Sequence, residues 1–176
     1  MFKPGQIGFI MHNGNWISKA IAWVMRSKWS HSFLVLGEFQ GRFLVCETSD
    51  FQVTINNVER YIEDPNCSME VYELGELDEA DILKMSGAVD KMNGELYGYL
   101  QLFSLGVRSF FSLFDISVHN FIHQGMVCCA VPIYGLLPTS LNLQVDPESI
   151  NTEELYQVVK SKAKMVYAKR TIENEL

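Results

Sequence analysis

The sequence predicts an α+β domain in which a central antiparallel β-sheet, or a small barrel, packs against helices. Three observations point there. A chain of 176 residues with 48% hydrophobic and 20% charged residues suits one domain around one core. Short runs rich in β-branched and aromatic residues crowd positions 30–74 between turn residues. Two longer stretches, 16–25 and 78–92, carry apolar residues at helical spacing instead.

The elements follow in order. Lys3-Pro4-Gly5 is a turn, and Gln6 to Met11 is an apolar run suited to a strand. After the turn His12-Asn13-Gly14-Asn15, residues Trp16, Ile17, Ala20, Ile21, Trp23 and Val24 predict a short helix ending near Ser27, with Lys19 and Arg26 facing out. Ser30 to Leu36 and Arg42 to Glu47 are strands joined by a turn over Gly37 to Gly41. Phe51 to Ile55 alternates as a third strand of this group. Val58 to Ile62 is one helical turn before Asp64-Pro65, and Met69 to Leu74 is a fourth strand. Asp78 is a good N-cap for a helix reaching Met92, with Ile82, Leu83, Met85 and Val89 as its apolar stripe and Asn93-Gly94 as its stop. Cys128 to Leu137 is a helix closing at Pro138. Thr152 to Leu155 opens a helical turn or two, and 158–167 fits either a helix or a closing strand. The basic cluster Lys160, Lys162, Lys164, Lys169 and Arg170, interleaved with apolar residues, is expected on the solvated face of a helix. No internal repeat or low-complexity linker divides the chain.

Composition narrows the function. A net charge of −7 and a pI of about 5.1 argue against nucleic acid as a partner. Four cysteines, Cys46, Cys67, Cys128 and Cys129, form no dense framework and no CxxC pair, so reduced thiols are expected rather than disulfides or structural zinc. The N-terminus lacks the pattern of a secretory signal, which leads to the expectation of a cytoplasmic protein. Tyr99 to Val118 is apolar and about as long as a membrane span. Gln101, Arg108, Asp115 and several serines interrupt it, so a helix plus hydrophobic loop, or an apolar substrate wall, is favoured over a membrane segment.

Three residues draw attention as chemistry. Pro132 is tolerated only near the start of a helix, so the helix around it must begin close to Cys128. A thiol there sits in positive potential, which stabilises the thiolate that a nucleophile needs. The alternative is that Cys128 and Cys129 are small buried hydrophobes. His31 opens an apolar strand between two serines, where it could equally bond a backbone carbonyl and do nothing more. Glu47, on the returning strand, could orient His31 if the hairpin forms, or could face solvent. His119 and His123 are four apart, a metal-ligand spacing, but no HExxH motif or acidic ligand accompanies them, so no metal is expected.

The order of these pieces resembles the circularly permuted branch of the NlpC-type papain-like cysteine peptidases, in particular the YiiX-like proteins, with lecithin retinol acyltransferase as a more distant relative. That branch opens with a Pro-Gly-Asp-Ile strand, followed by a helix, a Ser-His strand, a Glu strand and a late cysteine heading a helix. Here Pro4-Gly5-Gln6-Ile7 opens the chain, and Trp16 to Trp23 is the helix. Trp29-Ser30-His31-Ser32 carries the histidine, and Phe43 to Glu47 carries the glutamate. Leu96-Tyr97-Gly98-Tyr99 resembles the family's Tyr-Asp-Tyr stretch, Met126 to Val131 the cysteine motif, and Asp146-Pro147-Glu148 the downstream proline segment. Gln6 departs from the usual acidic residue. Cys129-Ala130 departs from the usual Ser-Glu after the nucleophile.

The resemblance implies one permuted papain-like domain over 1–176. It implies a cysteine-dependent hydrolase (peptidase or amidase, or a thioester or acyl-transfer enzyme) with a Cys128–His31–Glu47 triad and no cofactor. Tyr97 and Cys129 become candidate oxyanion or substrate contacts. The expected substrate is a peptide, an amide or an acyl-bearing molecule. Membrane association through 99–118 is not favoured, and the oligomeric state is open. Two other readings stand beside it. One is an inactive binding module of the same fold. The other is a structural or virion-associated protein that uses the apolar segment as an interface.

Overall fold

A computed structural model describes residues 1–49, 52–96, 98 and 126–171. Tyr97, the apolar segment 99–118, His119 and His123 therefore lie outside the described residues. Six strands form one antiparallel open sheet in the order β4-β3-β2-β1-β5-β6. They are β1 (Ile7–His12), β2 (His31–Phe39), β3 (Arg42–Ser49), β4 (Gln52–Asn57), β5 (Cys67–Glu73) and β6 (Lys164–Lys169). The described residues also contain five helices: α1 (Trp16–Val24), α2 (Glu59–Glu63), α3 (Glu79–Met92), α4 (Ala130–Leu136) and α5 (Thr152–Lys162). None of them is long and apolar enough to cross a membrane.

The sheet buries both faces, with successive side chains alternating between them. One face carries Ile7, Phe9, Leu34, Cys46 and Tyr72 against Met85 and Val89 of α3, Val131 and Ile133 of α4, and Leu155 and Val159 of α5. The opposite face carries Ile10, Phe33, Val35, Val45, Met69 and Val71 under Val58 and Tyr61. This explains why β5 is buried at six consecutive positions.

Local chemistry sets the ends. Asn15 caps α1 through Ile17 N–H, and Asp78 caps α3 through Asp81 N–H. Asn151 and Glu154 form a reciprocal capping box, which lets α5 run eleven residues rather than a turn or two.

Of the two expected forms, the central antiparallel sheet is the one present, and it is open. Two sequence expectations are corrected. The β2–β3 turn is tighter than Gly37–Gly41. Gln40 and Gly41 take φ of 52° and 77°, as a two-residue hairpin requires, while Gly37 sits in a bulge inside β2. The basic cluster does not share one helix face. Lys160 and Lys162 are in α5, Lys164 and Lys169 are on the edge strand β6, and Arg170 follows it. The Lys169 ammonium donates to the carbonyls of Tyr61, Ile62 and Asp64 and so ties the edge strand to the end of α2.

Candidate active site

His31 is the first residue of β2, opposite Ile10 of β1. Glu47 lies on β3, opposite Thr54 of β4. The β2–β3 hairpin brings the two together, with His31 Nε2 2.7 Å from Glu47 Oε2. The Glu47 side chain is wholly buried, while that of His31 keeps 17% of its surface exposed.

A buried carboxylate is costly unless donors surround it. Here they come from three elements. Besides His31, the Tyr61 hydroxyl of α2 donates to Oε2, and Asn56 Nδ2 of β4 donates to Oε1 at 2.8 Å. The Arg60 guanidinium lies 3.7 Å from Oε1. Burial alone would raise the carboxyl's pKa. The His31 hydrogen bond and charge, with Tyr61 and Asn56, hold it below the ordinary value instead. Burial and the Glu47 charge push the Tyr61 phenol upward, so it remains a protonated donor. Tyr61 in turn stacks parallel on Phe33.

Cys128 arrives from the other face of the sheet. Its carbonyl accepts from Ser32 Oγ at 3.0 Å, which fixes the cysteine one residue from His31 on β2. Cys128 lies in the turn just before α4, whose N-cap is Cys129, and Pro132 occupies the first helical turn. The helix is thus shorter than the expected 128–137, but it starts close to Cys128 as Pro132 demands. Ala130 N–H bonds back to the Val127 carbonyl, closing the turn that presents Cys128.

Cys128 is buried, yet its thiol pKa is held well below the ordinary value. A hydrogen bond from the Cys129 thiol is the largest cause. Burial opposes it, and the hydrogen bond and charge of His31 add to it. Cys129 shifts the opposite way, kept protonated by its thiolate neighbour and by burial. Its Sγ also lies 3.2 Å from the Ile150 carbonyl, a second acceptor for its proton. Burial would lower the pKa of His31, but the Cys128 sulfur and the Glu47 carboxylate outweigh it and raise the value to about 10. With Nε2 committed to Glu47, Nδ1 is the ring nitrogen left for the thiolate. The arrangement can hold a thiolate–imidazolium pair at neutral pH.

His31, Glu47 and Cys128 are therefore brought together, and Cys129 sits beside them with its side chain turned toward Ile150. Sequence reasoning missed Tyr61, Asn56, Arg60 and Ser32. The parity of β4 could have placed Thr54 and Asn56 on the Glu47 face, since both lie on the strand paired with β3. Nothing local marks Tyr61 as the carboxylate's partner.

No protein-family model matches the chain, and no curated protein matches it. Among solved structures, it is similar to a protein described as the metalloprotein yiiX from Escherichia coli O157:H7, DUF1105. The TM-score is 0.56 at 14% identity, over 95% of this chain and 97% of the other. The likeness is one of fold. Among the described residues no group of three or more His, Cys, Asp or Glu is arranged to hold a metal ion.

Proposed function

We propose that this chain is a cysteine-dependent hydrolase or acyl-transfer enzyme with Cys128 as nucleophile, His31 as acid–base and Glu47 as the group that orients it. The observation that carries the reading is an imidazole held between a fully buried carboxylate and a thiol at the head of a helix. Structural ion pairs are common. One that also depresses a thiol's pKa, in a YiiX-like fold, has the composition of a nucleophile–base–orienter set.

In this mechanism the Cys128 thiolate attacks the carbonyl carbon of an amide, peptide, ester or thioester. The backbone N–H groups of Cys128 and Cys129, in the turn that leads into α4, receive the oxyanion. Collapse of the tetrahedral intermediate breaks the bond to the leaving group, which takes the proton from His31 Nδ1. An S-acyl enzyme and neutral His31 remain. His31 then accepts a proton from water, or from another acceptor, as it attacks the thioester, and the thiolate–imidazolium pair is restored. Glu47 keeps Nε2–H directed inward throughout, which leaves Nδ1 aimed at the reacting atoms. No step calls for a cofactor.

Iodoacetamide labelling against pH, with the modified peptide mapped, tests the pair directly. Selective labelling of Cys128 well below the free-thiol pKa of about 8.5, slowed in His31→Ala, is expected. Trapping of an acyl group on Cys128 from p-nitrophenyl acetate then tests turnover. Slow labelling spread over all four cysteines and indifferent to His31 would overturn the enzyme reading and favour a binding module.

A further inference from the structure

Helix α1 presents its bulkiest apolar side chains to solvent. Ser18 and Ala22 are its buried residues, and the Met25 that caps its C-terminus is buried with them. Trp16 and Trp23 are 76% and 78% exposed, and Ile17 and Val24 are exposed as well. At 100° per residue, Trp16, Ala20 and Trp23 fall within about 60° of one another, with Ile17 and Val24 on one flank and Lys19 on the other. A solvent-facing helix normally shows the reverse pattern, and a contiguous exposed apolar surface marks a contact site.

The charge along this stretch of the chain is as uneven as its exposure. The chain carries 21 acidic residues, and all of them come after Gly37. The first 37 residues hold Lys3, Lys19, Arg26 and Lys28. Lys3 pairs with Glu76 and Lys28 with Glu70. Lys19 and Arg26, on α1 and immediately after it, have no ion pair among the described residues. Two exposed tryptophans flanked by unpaired cations match the boundary of an anionic bilayer, where indole rings sit at headgroup level and each nearby Lys or Arg adds attraction.

We propose that α1 docks on an anionic lipid surface. Trp16, Trp23, Ile17 and Val24 enter the boundary between headgroups and acyl chains, and Lys19 and Arg26 meet lipid phosphates. His31 follows the end of α1 by seven residues. The docking is independent of the proposed chemistry.

The test uses the full chain with vesicles of phosphatidylcholine alone and of phosphatidylcholine with 30% phosphatidylserine. Co-sedimentation is expected with the anionic vesicles at ~10-fold or greater preference, with a blue shift in tryptophan emission. The Trp16→Ser/Trp23→Ser and Lys19→Glu/Arg26→Glu variants should each lose ~10-fold or more in binding while iodoacetamide labelling of Cys128 stays unchanged. The charge variant carries the test should the tryptophan variant fail to fold. Absence of binding to anionic vesicles overturns the proposal, as does binding that both variants retain, which would place the contact elsewhere. Concentration-dependent dimerisation that the tryptophan variant abolishes, without vesicle binding, would assign the face to a second copy. Lost vesicle binding with intact thiol reactivity separates this proposal from the proposed chemistry.

Discussion

Glu47→Gln is the substitution that tests the site most sharply, because both carboxylate oxygens are already occupied. Oε2 accepts from His31 Nε2 at 2.7 Å and from the Tyr61 hydroxyl, and Oε1 accepts from Asn56 Nδ2 at 2.8 Å. Glutamine keeps the shape, removes the charge and puts an NH2 where one of those donors expects an acceptor. A hydrogen bond to a charged group contributes about 1.5–3 kcal/mol, and breaking a buried pair costs about 3–5 kcal/mol. The expected destabilisation is therefore about 3 kcal/mol. For a domain of this size that lowers the melting midpoint by roughly 6–12 °C. The same 1.5–3 kcal/mol, withdrawn from the imidazolium, weakens its hold on the proton roughly ten- to hundredfold at about 1.4 kcal/mol per decade. Labelling of Cys128 by iodoacetamide should then move to higher pH, and the His31→Ala/Glu47→Gln double variant should show no further loss. A variant that melts within about 1 °C of wild type and labels with an unchanged pH profile would refute the claim that Glu47 governs His31.

The pH dependence of stability follows from the same pair. His31 is raised from 6.5 to about 10, so its contribution is complete below pH 6.5 and lost by about pH 10. Cys128 is lowered from 9.0, so its contribution is complete above pH 9 and lost as pH falls. The two slopes cancel between them. In urea unfolding, the stability gap between wild type and the His31→Ala/Cys128→Ala variant should be flat from about pH 6.5 to 9 and shrink on either side; a gap that climbs steadily across that interval contradicts the pairing. Gly8→Ala would put a Cβ 2.0 Å from Phe33 Cζ on the ring that stacks against Tyr61. It should cost about 1–3 kcal/mol and slow Cys128 labelling by moving Tyr61 off Glu47, whereas wild-type behaviour would mean Phe33 relocates freely. Gly135→Ala would put a Cβ 2.3 Å from Leu34 Cδ2 and lift α4 from β2. It should destabilise to a similar degree and raise the labelling pH of Cys128, and a variant of native reactivity would show that α4 does not set the sulfur's position.

Much of this was legible in the sequence because it is local. Runs of β-branched and aromatic residues between turns marked the strands, and Asp78 and Asn93-Gly94 bracketed α3 to within a residue. Ser30-His31-Ser32 and the Phe43–Glu47 run lie on strands joined by a tight hairpin, so their proximity needed only the turn to form. The rest depends on packing. Whether Glu47 faced solvent turned on α2 folding over it, and no periodicity announces a five-residue helix as a lid. The basic cluster misled because Lys160 and Lys169 look alike in sequence. Only the break at Ala163, which ends α5 in extended backbone, sends the second half of the cluster into β6. Helix α1 was correctly placed, but its inverted exposure was invisible, since Trp16 and Trp23 look like core residues until the inward side proves to be Ser18, Ala22 and Met25.

The site divides along the same line between local and distant contacts. His31, Glu47, Asn56, Arg60 and Tyr61 fall within one meander of three strands and a short helix, and together they satisfy the buried carboxylate. Cys128 comes from far along the chain and is fixed from the other face of the sheet, through the Ser32 bond and the close fit of Gly135 on Leu34. Orientation of the imidazole and placement of the sulfur are thus controlled by different contacts. Gly8→Ala acts on the first and Gly135→Ala on the second. The raised His31 value needs both, because it arises from Cys128 as well as Glu47 against the cost of burial. An imidazole with only its carboxylate would release its proton at a lower pH, and one with only the thiol would lack a fixed ring. The proposed thiolate–imidazolium pair therefore depends on both sets of contacts, those that orient His31 and those that seat α4 on β2.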